Sequence, residues 1–443
     1  MAPRPKAGDK PCEIPYNEDS FTGCLDWMVK GMSNREKIVV TGMGAVTPVG
    51  IGVDAYWKNL IAGSCGIDGI SGFSAEDLAV RIAAEVRGFS PEDHLPGKLI
   101  HETDAFTQYA FAAAKEAILD RMGDAAALPA DPDRLGIVMG TAMSGIDTIA
   151  STQEILTNAV HKNVGPRFVP RILGNIAAAQ IAIAYGITGP SYTISTACAS
   201  GSDAIAQGAM LLLAGEADTV LAVGADSTLC SLVIYSLANA RALSRENDHP
   251  GTACRPFDKS AKGFVMGEGG GALILETESH AKAGGARIYA ELAGWSNNND
   301  AYHVTRPSED GAQAAACMRR ALAKAGLDPA QIGYINAHGT GAAKSDASET
   351  AAMQEVFRGC SPMISSTKAA TGHMMGAGGV TEAIACLKAI GTGSLPPTLN
   401  LTDPIADLDF VRQTRTGLRI DAAMSNAFGF GGQNSTIIFK RYQ

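Results

Sequence analysis

The chain has 443 residues, 46% hydrophobic and 18% charged, which is enough to bury one large core or two smaller ones. A net charge of −9, without any block of Lys and Arg, argues against a nucleic-acid-binding protein. The nine cysteines are odd in number, scattered and without a C-x-x-C pair, which argues against a disulfide framework and a zinc site. We therefore expect a reducing compartment.

The first 32 residues differ from the rest of the chain. Residues 1–32 are polar, rich in Pro and Gly, and contain several acidic residues, unlike a signal or transit peptide. We expect a loosely ordered extension, with an ordered arm around a partner subunit as the alternative. No apolar run approaches the roughly 20 residues that cross a bilayer, so we expect a cytoplasmic protein without membrane contact.

From Lys37 onward, short β-branched runs alternate with longer Ala-rich segments, which is typical of strands linked by helices in an α/β protein. A helix is predicted over 104–120, where Phe106, Tyr109 and Ala113 recur at helical spacing. The predicted strands span residues 38–42, 135–141, 192–196, 219–225, 269–276, 287–295 and 331–340.

The second half of the chain repeats the plan of the first. Q-I-G-Y-I-N-A-H-G-T (331–340) echoes R-L-G-I-V-M-G-T (134–141), and the stretch from T-G-H at 371 echoes the stretch from T-A-C at 196. Each member of the second pair has a reactive residue in third place, followed by a Gly- and Ala-rich helix. The sequence predicts two similar α/β halves, 33–285 with a cysteine and 286–443 with a histidine pair.

Cys198 lies where a hydroxyl-rich strand gives way to a helix. The unpaired amides and the macrodipole of a helix N-terminus favour an anion, so the sequence predicts a lowered pKa and a nucleophilic thiol. The alternative is a small buried apolar cysteine.

Two of the eight histidines lie in Gly-rich turns. His338 follows an apolar strand, and α/β proteins place their sites at the carboxyl ends of such strands. His373 lies in the matching turn of the second repeat, and Lys368 is close enough to influence its charge state. A loop histidine with structural partners is the alternative for each.

Two further segments carry candidate residues. Asp346 and Glu349 are three apart and so share one face of a predicted helix, where helix N-terminal charge is the alternative to a supporting role. Phe428 and Phe430 lie among glycines in S-N-A-F-G-F-G-G-Q-N-S (425–435), which favours either a mobile gate or a tight turn into the last strand.

Motifs in a fixed order carry a resemblance from about Ile38 to Lys440. The chain is similar to elongating, type II β-ketoacyl-[acyl-carrier-protein] synthases, condensing enzymes of the thiolase superfamily. The resemblance implies a thiolase-like α/β fold whose halves form a five-layered α-β-α-β-α core. The motifs are V-T-G-M-G-A-V-T-P-V-G, T-A-C-A-S-G, R-P-F-D-K-S-A-K-G-F-V-M-G-E-G, A-H-G-T-G, S-S-T-K-A-A-T-G-H, L-P-P-T-L-N and N-A-F-G-F-G-G.

The resemblance also implies roles in a decarboxylative condensation. Cys198 would take an acyl group from an acyl-carrier thioester, with the amides of Cys198 and Phe430 as the oxyanion hole. His338 and His373 would polarise the malonyl thioester and stabilise the enolate, and Lys368 would set their electrostatic state. No metal or redox cofactor is implied, because the phosphopantetheine of acyl carrier protein carries the substrates.

Supporting and substrate-binding roles follow from the same resemblance. Asp346 and Glu349 would support the histidine site, and Phe428 would belong with Phe430 to the gate. Met143 would line the acyl pocket, and Phe168 would approach it across a homodimer interface. Thr305 and Thr340 would meet the pantetheine arm. The implied partners are acyl carrier protein and a second copy of this chain.

The chain departs from the family pattern at the rim of this site. Ala342 stands where a pantetheine-binding hydroxyl is usual, and Gln433 where Thr is usual. Carrier docking would rely on Arg81, Arg87, Arg241 and Arg245. A ketosynthase of a specialised polyketide or fatty-acid pathway is therefore an alternative, as is a non-catalytic subunit resembling a chain-length factor, although retention of Cys198 argues against the latter.

Overall fold

The structure, a computed structural model, describes residues 36–123, 131–158 and 164–443. The predicted extension over residues 1–32 lies outside these ranges. Within them, no helix is long and apolar enough to cross a membrane.

Thirteen strands form within the described ranges. They are β1 (Ile38–Thr47), β2 (Gly50–Ile51), β3 (Asp68–Gly69), β4 (Ile82–Ala83), β5 (Leu135–Gly140), β6 (Ser191–Ile194), β7 (Thr219–Asp226), β8 (Gly269–Thr277), β9 (Ala290–Asn299), β10 (Tyr334–Asn336), β11 (Met363–Ser365), β12 (Ala422–Gly429) and β13 (Gln433–Lys440).

The α-helices of the same ranges alternate with these strands. They are α1 (Val53–Ile61), α2 (Pro91–His94), α3 (Gly97–Glu102), α4 (Ala105–Met122), α5 (Ile146–Thr157), α6 (Phe168–Ile172), α7 (Ile176–Tyr185), α8 (Ser200–Leu213), α9 (Ser231–Asn239), α10 (Glu278–Ala283), α11 (Ala312–Ala325), α12 (Ala343–Val356), α13 (Lys368–Thr371) and α14 (Gly378–Thr392).

The main sheet contains the same five-stranded arrangement twice. Its strands run in the order β11-β10-β12-β13-β9-β1-β8-β7-β5-β6, and β2 pairs with β1. Each half contributes five strands, β1 and β5–β8 in the first and β9–β13 in the second. Numbered by their order along the chain, the five strands of each half occur from the centre outward as first, fifth, fourth, second and third. The halves meet where β1 pairs antiparallel with β9 at Val39–Glu291 and Val40–Ala290. This repeat confirms the two similar halves predicted from the sequence.

Helices α8 and α14 form the layer between the halves. α8 packs on β5 and β7, α14 packs on β10 and β12, and the two helices pack on each other, while α4 and α11 cover the outer faces. Glycine makes this approach close: a Cβ on Gly201 would lie 2.5 Å from the carbonyl oxygen of Gly376, and one on Gly379 would lie 2.4 Å from the amide of Ser202. The arrangement has the five predicted layers.

The strand predicted over 331–340 is shorter than expected. β10 ends at Asn336; the amide of Ala337 still donates to the carbonyl of Ser365 in β11 at 2.9 Å, but the amides after it bond to side chains instead of a neighbouring strand. The amides of His338 and Gly339 donate to Glu349, and that of Thr340 donates to Asp346. The residues that end the strand therefore belong to the site.

Candidate active site

Cys198 lies in a strained turn between β6 and α8. A single turn of 3₁₀ helix, Ala197–Ala199, precedes α8, and Ala197 has φ of 51°, unusual for a residue with a Cβ. The hydroxyl of Ser200 accepts from the amide of Thr196 at 2.9 Å and donates to the carbonyl of Ala197 at 2.6 Å. The turn holds the Cys198 thiol in a buried position.

His373 occupies the matching position in the second half. It follows Gly372, which has φ of 64°, so Cys198 and His373 each come directly after a residue with positive φ. The amide of His373 donates to the carbonyl of Val265 at 2.7 Å. Its Nε2 atom lies 3.0 Å from Sγ of Cys198, which is within hydrogen-bonding distance.

His338 completes a cluster of three. Its ring is nearly perpendicular to that of His373, at 85°, with the centroids 5.5 Å apart. The ring of Phe428 lies 5.7 Å from that of His338, and the ring of Phe264 lies 5.4 Å from that of His373. The structure therefore brings Cys198, His338 and His373 together in an enclosed space.

Both imidazoles are held neutral. Burial lowers the pKa of His373 to about 3 and that of His338 well below its ordinary value, and the positive charge of Lys368 lowers both further. A neutral imidazole has one N–H donor and one acceptor nitrogen. Each histidine can therefore donate to a carbonyl oxygen without carrying a positive charge.

The prediction of a lowered pKa for Cys198 is wrong. Burial raises the pKa of this thiol to about 11, although the charge of Lys368 and the amides of Phe430 and Cys198 act to lower it. The removal of the thiol from water therefore raises its pKa by more than the helix N-terminus lowers it. Since the resting form is the thiol, attack requires a base, and His373 is within reach.

Lys368 begins α13 and is 2% exposed. Its ammonium donates to the carboxylate of Glu382 on α14, and both side chains of this ion pair are buried. The sequence reasoning placed Lys368 at the site but missed Glu382. One signal in the sequence could have identified Glu382: it is a single carboxylate within an Ala- and Gly-rich helix, where a buried charge needs a partner.

Asp346 and Glu349 share one face of α12 and point at the loop that carries His338. Glu349 accepts from the amides of His338 and Gly339, both at 2.8 Å, and Asp346 accepts from the amide of Thr340 at 2.9 Å. Burial raises the pKa of Asp346 to about 6 and that of Glu349 to about 7. Their position favours the supporting role over helix N-terminal charge.

The aromatic and glycine segment forms a tight turn between β12 and β13. Phe430 is 38% exposed at this turn, whereas Phe428 is half-buried against His338. The amide of Gly431 donates to the carbonyl of Val304 at 2.6 Å, which places Thr305 beside the turn. The exposed Thr305 lies at the surface, whereas the Thr340 hydroxyl is buried and contacts Asp346 at 3.4 Å.

The two predicted acyl-pocket residues differ in their surroundings. Met143 packs against the apolar cluster that contains Cys198. Phe168 is half-buried at the start of α6 and belongs to none of the apolar clusters of the described residues. Among these residues, no group of three or more His, Cys, Asp and Glu side chains is placed to hold a metal ion.

Family models match both halves of the chain. The N-terminal domain of β-ketoacyl synthase matches residues 35–281, and its C-terminal domain matches residues 289–402. The chain therefore belongs to the β-ketoacyl synthase family and is an enzyme of the acyltransferase class.

Individual relatives agree over nearly the whole length. The 3-oxoacyl-[acyl-carrier-protein] synthase 2 of Synechocystis sp. is 41% identical, covering 93% of this chain and 100% of the relative. The Staphylococcus aureus protein of the same name is 38% identical with the same coverage. A β-ketoacyl synthase structure from Burkholderia phymatum has a TM-score of 0.86 at 32% identity, covering 92% of this chain and 100% of the other.

One solved relative contains a partner. A type II polyketide ketosynthase in complex with its acyl carrier protein has a TM-score of 0.82 at 31% identity, covering 92% of this chain and 100% of the other. Together these comparisons confirm the predicted family and fold class.

Proposed function

We propose that the chain elongates an acyl group by two carbons, through decarboxylative condensation of an acyl-Cys198 thioester with malonyl-acyl-carrier-protein. The observation that carries the proposal is the 3.0 Å contact between Cys198 Sγ and His373 Nε2, with His338 beside it. A thiol with an adjacent base suits acyl transfer, and two neutral N–H donors suit enolate stabilisation.

In the first step, Cys198 sulfur attacks the thioester carbonyl of the acyl carrier. Its proton passes to His373 and then to the pantetheine sulfur that leaves, so one C–S bond forms and another breaks. The amides of Cys198 and Phe430, which both act on the sulfur of Cys198, are the candidate donors to the oxyanion.

In the second step, His338 and His373, the latter in the tautomer with its proton on Nε2, donate to the thioester carbonyl oxygen of malonyl-carrier. The bond to the carboxylate breaks, carbon dioxide leaves, and its electron pair forms the enolate. The enolate carbon attacks the acyl-Cys198 carbonyl and expels the Cys198 thiolate, which takes up a proton from water to restore the resting thiol. Decarboxylation supplies the carbanion, so the proposal needs no metal or redox cofactor, and the phosphopantetheine arrives with the substrate.

Acyl carrier protein is the proposed partner, through the basic residues Arg81, Arg87, Arg241 and Arg245. The side chain of Arg87 pairs with Asp68 at 2.8 Å and with Glu85 at 3.4 Å, which reduces its charge toward a partner. We therefore expect exposed Arg81 and Arg241 to contribute more than Arg87.

A homodimer is the proposed assembly. β6 is the last strand on its side of the sheet, and α7 and α8 pack against it. The side chains of Ile183, Tyr192 and Met210 on these three elements are 76%, 52% and 52% exposed. An apolar edge of this kind suits a second copy of the chain. Light scattering after gel filtration tests it, and a monomer at micromolar concentration contradicts it.

A specialised ketosynthase is the second candidate function. Ala342 lacks the hydroxyl expected at the pantetheine, and Gln433 begins β13 directly after the turn that carries Phe430. The two candidates predict different acyl preferences. A non-catalytic role conflicts with the retained contact between Cys198 and His373.

One experiment tests the function and separates the candidates. The protein is incubated with acyl carriers of graded length, then with malonyl-carrier, and followed by intact mass spectrometry. Acylation of the native protein but not of Cys198→Ala, and a product two carbons longer, are expected. Cys360→Ala, a partly exposed cysteine outside the site, is the matched control. Acylation of Cys198→Ala, or elongation of no acyl group, contradicts the proposal.

A further inference from the structure

Asp226 is a buried carboxylate beneath the active site that the proposed mechanism does not use. It is the last residue of β7 and has no exposed surface. Its neighbours belong to both halves of the chain, and its negative charge acts on the pKa of Cys198. A charge buried at such a junction needs a structural or functional reason.

Four donors satisfy this carboxylate. Oδ1 accepts from the hydroxyl of Thr141 at 2.8 Å and from the amide of Met143 at 3.1 Å. Oδ2 accepts from the amides of Ala142 at 2.8 Å and Gly376 at 2.7 Å. Because every partner donates, both oxygens must accept, and an amide side chain cannot replace the carboxylate.

The donors come from two turns with different predicted roles. Residues 141–143 lead into the acyl pocket at Met143, whereas Gly376 lies three residues after His373. The Gly376 peptide has no spare room: a Cβ there would lie 2.6 Å from Asp226 Oδ2 and 3.0 Å from the amide of Ala142. A shift of either turn is therefore transmitted to the other.

We propose that Asp226 is a positioning residue that fixes the acyl-pocket turn to the His373 loop and thereby links acyl-chain selection to the Cys198–His373 geometry. The inference rests on the proposed function. An acyl chain that displaces Met143 pulls on Asp226, which moves Gly376 and the base, so a poorly fitting chain acylates Cys198 more slowly than its binding alone predicts.

The test compares Asp226→Asn with Asp258→Asn. Asp258 is also buried and accepts from the amides of Ser260, Thr402 and Asp403, but it lies outside the site. Acylation rates are measured for short, medium and long acyl carriers, together with the rate of Cys198 alkylation by iodoacetamide. For Asp226→Asn we expect the best substrate to slow by about 10-fold to 100-fold and the ratio between chain lengths to shrink.

Thr141→Val provides a second variant that keeps the fold. It removes one donor to Asp226 without a change of size, and we expect a smaller reduction of the same ratio. Asp258→Asn should leave both the ratio and the alkylation rate unchanged. If Thr141→Val and soluble Asp226→Asn keep the native ratio, the inference is overturned. If the native protein is alkylated but never acylated at Cys198, the proposed function fails instead.

Discussion

The Nε2 atom of His373 lies 3.0 Å from the Sγ atom of Cys198, although 175 residues separate them in the sequence. The two residues come from opposite halves, and each follows a residue with positive φ. Because burial raises the pKa of the thiol to about 11, we expect this contact, more than the helix N-terminus, to activate the cysteine.

The two histidines should separate the two steps of the reaction. His373→Ala removes the base beside Cys198, so acylation should slow by about 100-fold. His338→Ala leaves that contact in place, so acylation should stay within about threefold while release of carbon dioxide from malonyl-carrier falls by about 100-fold. Single-turnover acylation and carbon dioxide release measure the steps separately. Equal loss of acylation in both variants would contradict this assignment.

Glu349→Gln tests the support of His338. The amide of Gln would direct an N–H at one of the two backbone amides that Glu349 now accepts from. We expect the variant to lose about 1–3 kcal/mol of stability and to slow decarboxylation more than acylation. Glu355→Gln, on the same helix but in an exposed pair with Arg319, is the control and should change neither. Thermal melting and the two rate assays check the prediction.

The buried pair of Lys368 and Glu382 should respond differently to single and double substitution. Lys368→Met leaves Glu382 buried without its partner, and we expect a loss of about 3–5 kcal/mol. The double variant Lys368→Met, Glu382→Leu should recover most of that stability but not the condensation rate, because the charge that acts on His338 and His373 is gone. Urea denaturation measures the stability of each variant, and condensation assays measure its rate. Recovery of both would show that Lys368 is only structural.

Stability should depend on pH through His373. Its pKa is about 3 in the folded chain, against an ordinary value of 6.5. Between these values the unfolded chain binds a proton that the folded chain does not, so the free energy of unfolding falls as the pH falls. The His373→Ala variant does not lose stability in this way. Between pH 6.5 and 5, its free energy of unfolding should therefore rise by about 2 kcal/mol relative to that of the native chain. Denaturation curves of the two proteins at several pH values in this range give the free energy of unfolding of each. If this free energy changes with pH equally in both proteins, the prediction is refuted.

Ala342→Thr should improve two properties at once. Ala342 is the N-cap of α12, and no side chain caps that helix end. A threonine hydroxyl there should stabilise the chain by about 1 kcal/mol. It also restores the hydroxyl expected at the pantetheine, so KM for malonyl-carrier should fall with little change in kcat. Ala343→Ser, one position inside the helix, is the control. An unchanged KM would remove Ala342 from the pantetheine site.

The sequence located the reactive residues better than it described their chemistry. Cys198 is recognisable at the junction of a predicted strand and a helix, and His338 and His373 are recognisable because they lie in Gly-rich turns. The pKa of Cys198 was predicted in the wrong direction, because burial depends on residues distant in sequence. Glu382 and Asp226 were missed because each is a single acid within an apolar element, and the donors to Asp226 come from two remote turns. The role of Phe168 requires a second chain and stays a prediction.

The division of the site between the two halves has a consequence for synthesis. Cys198 leaves the ribosome long before residues 338 and 373, so during part of synthesis its thiol has no base beside it. Such a thiol keeps its proton at physiological pH and is a poor acceptor of acyl groups. We therefore expect the nascent chain to be protected from premature loading until translation is nearly complete.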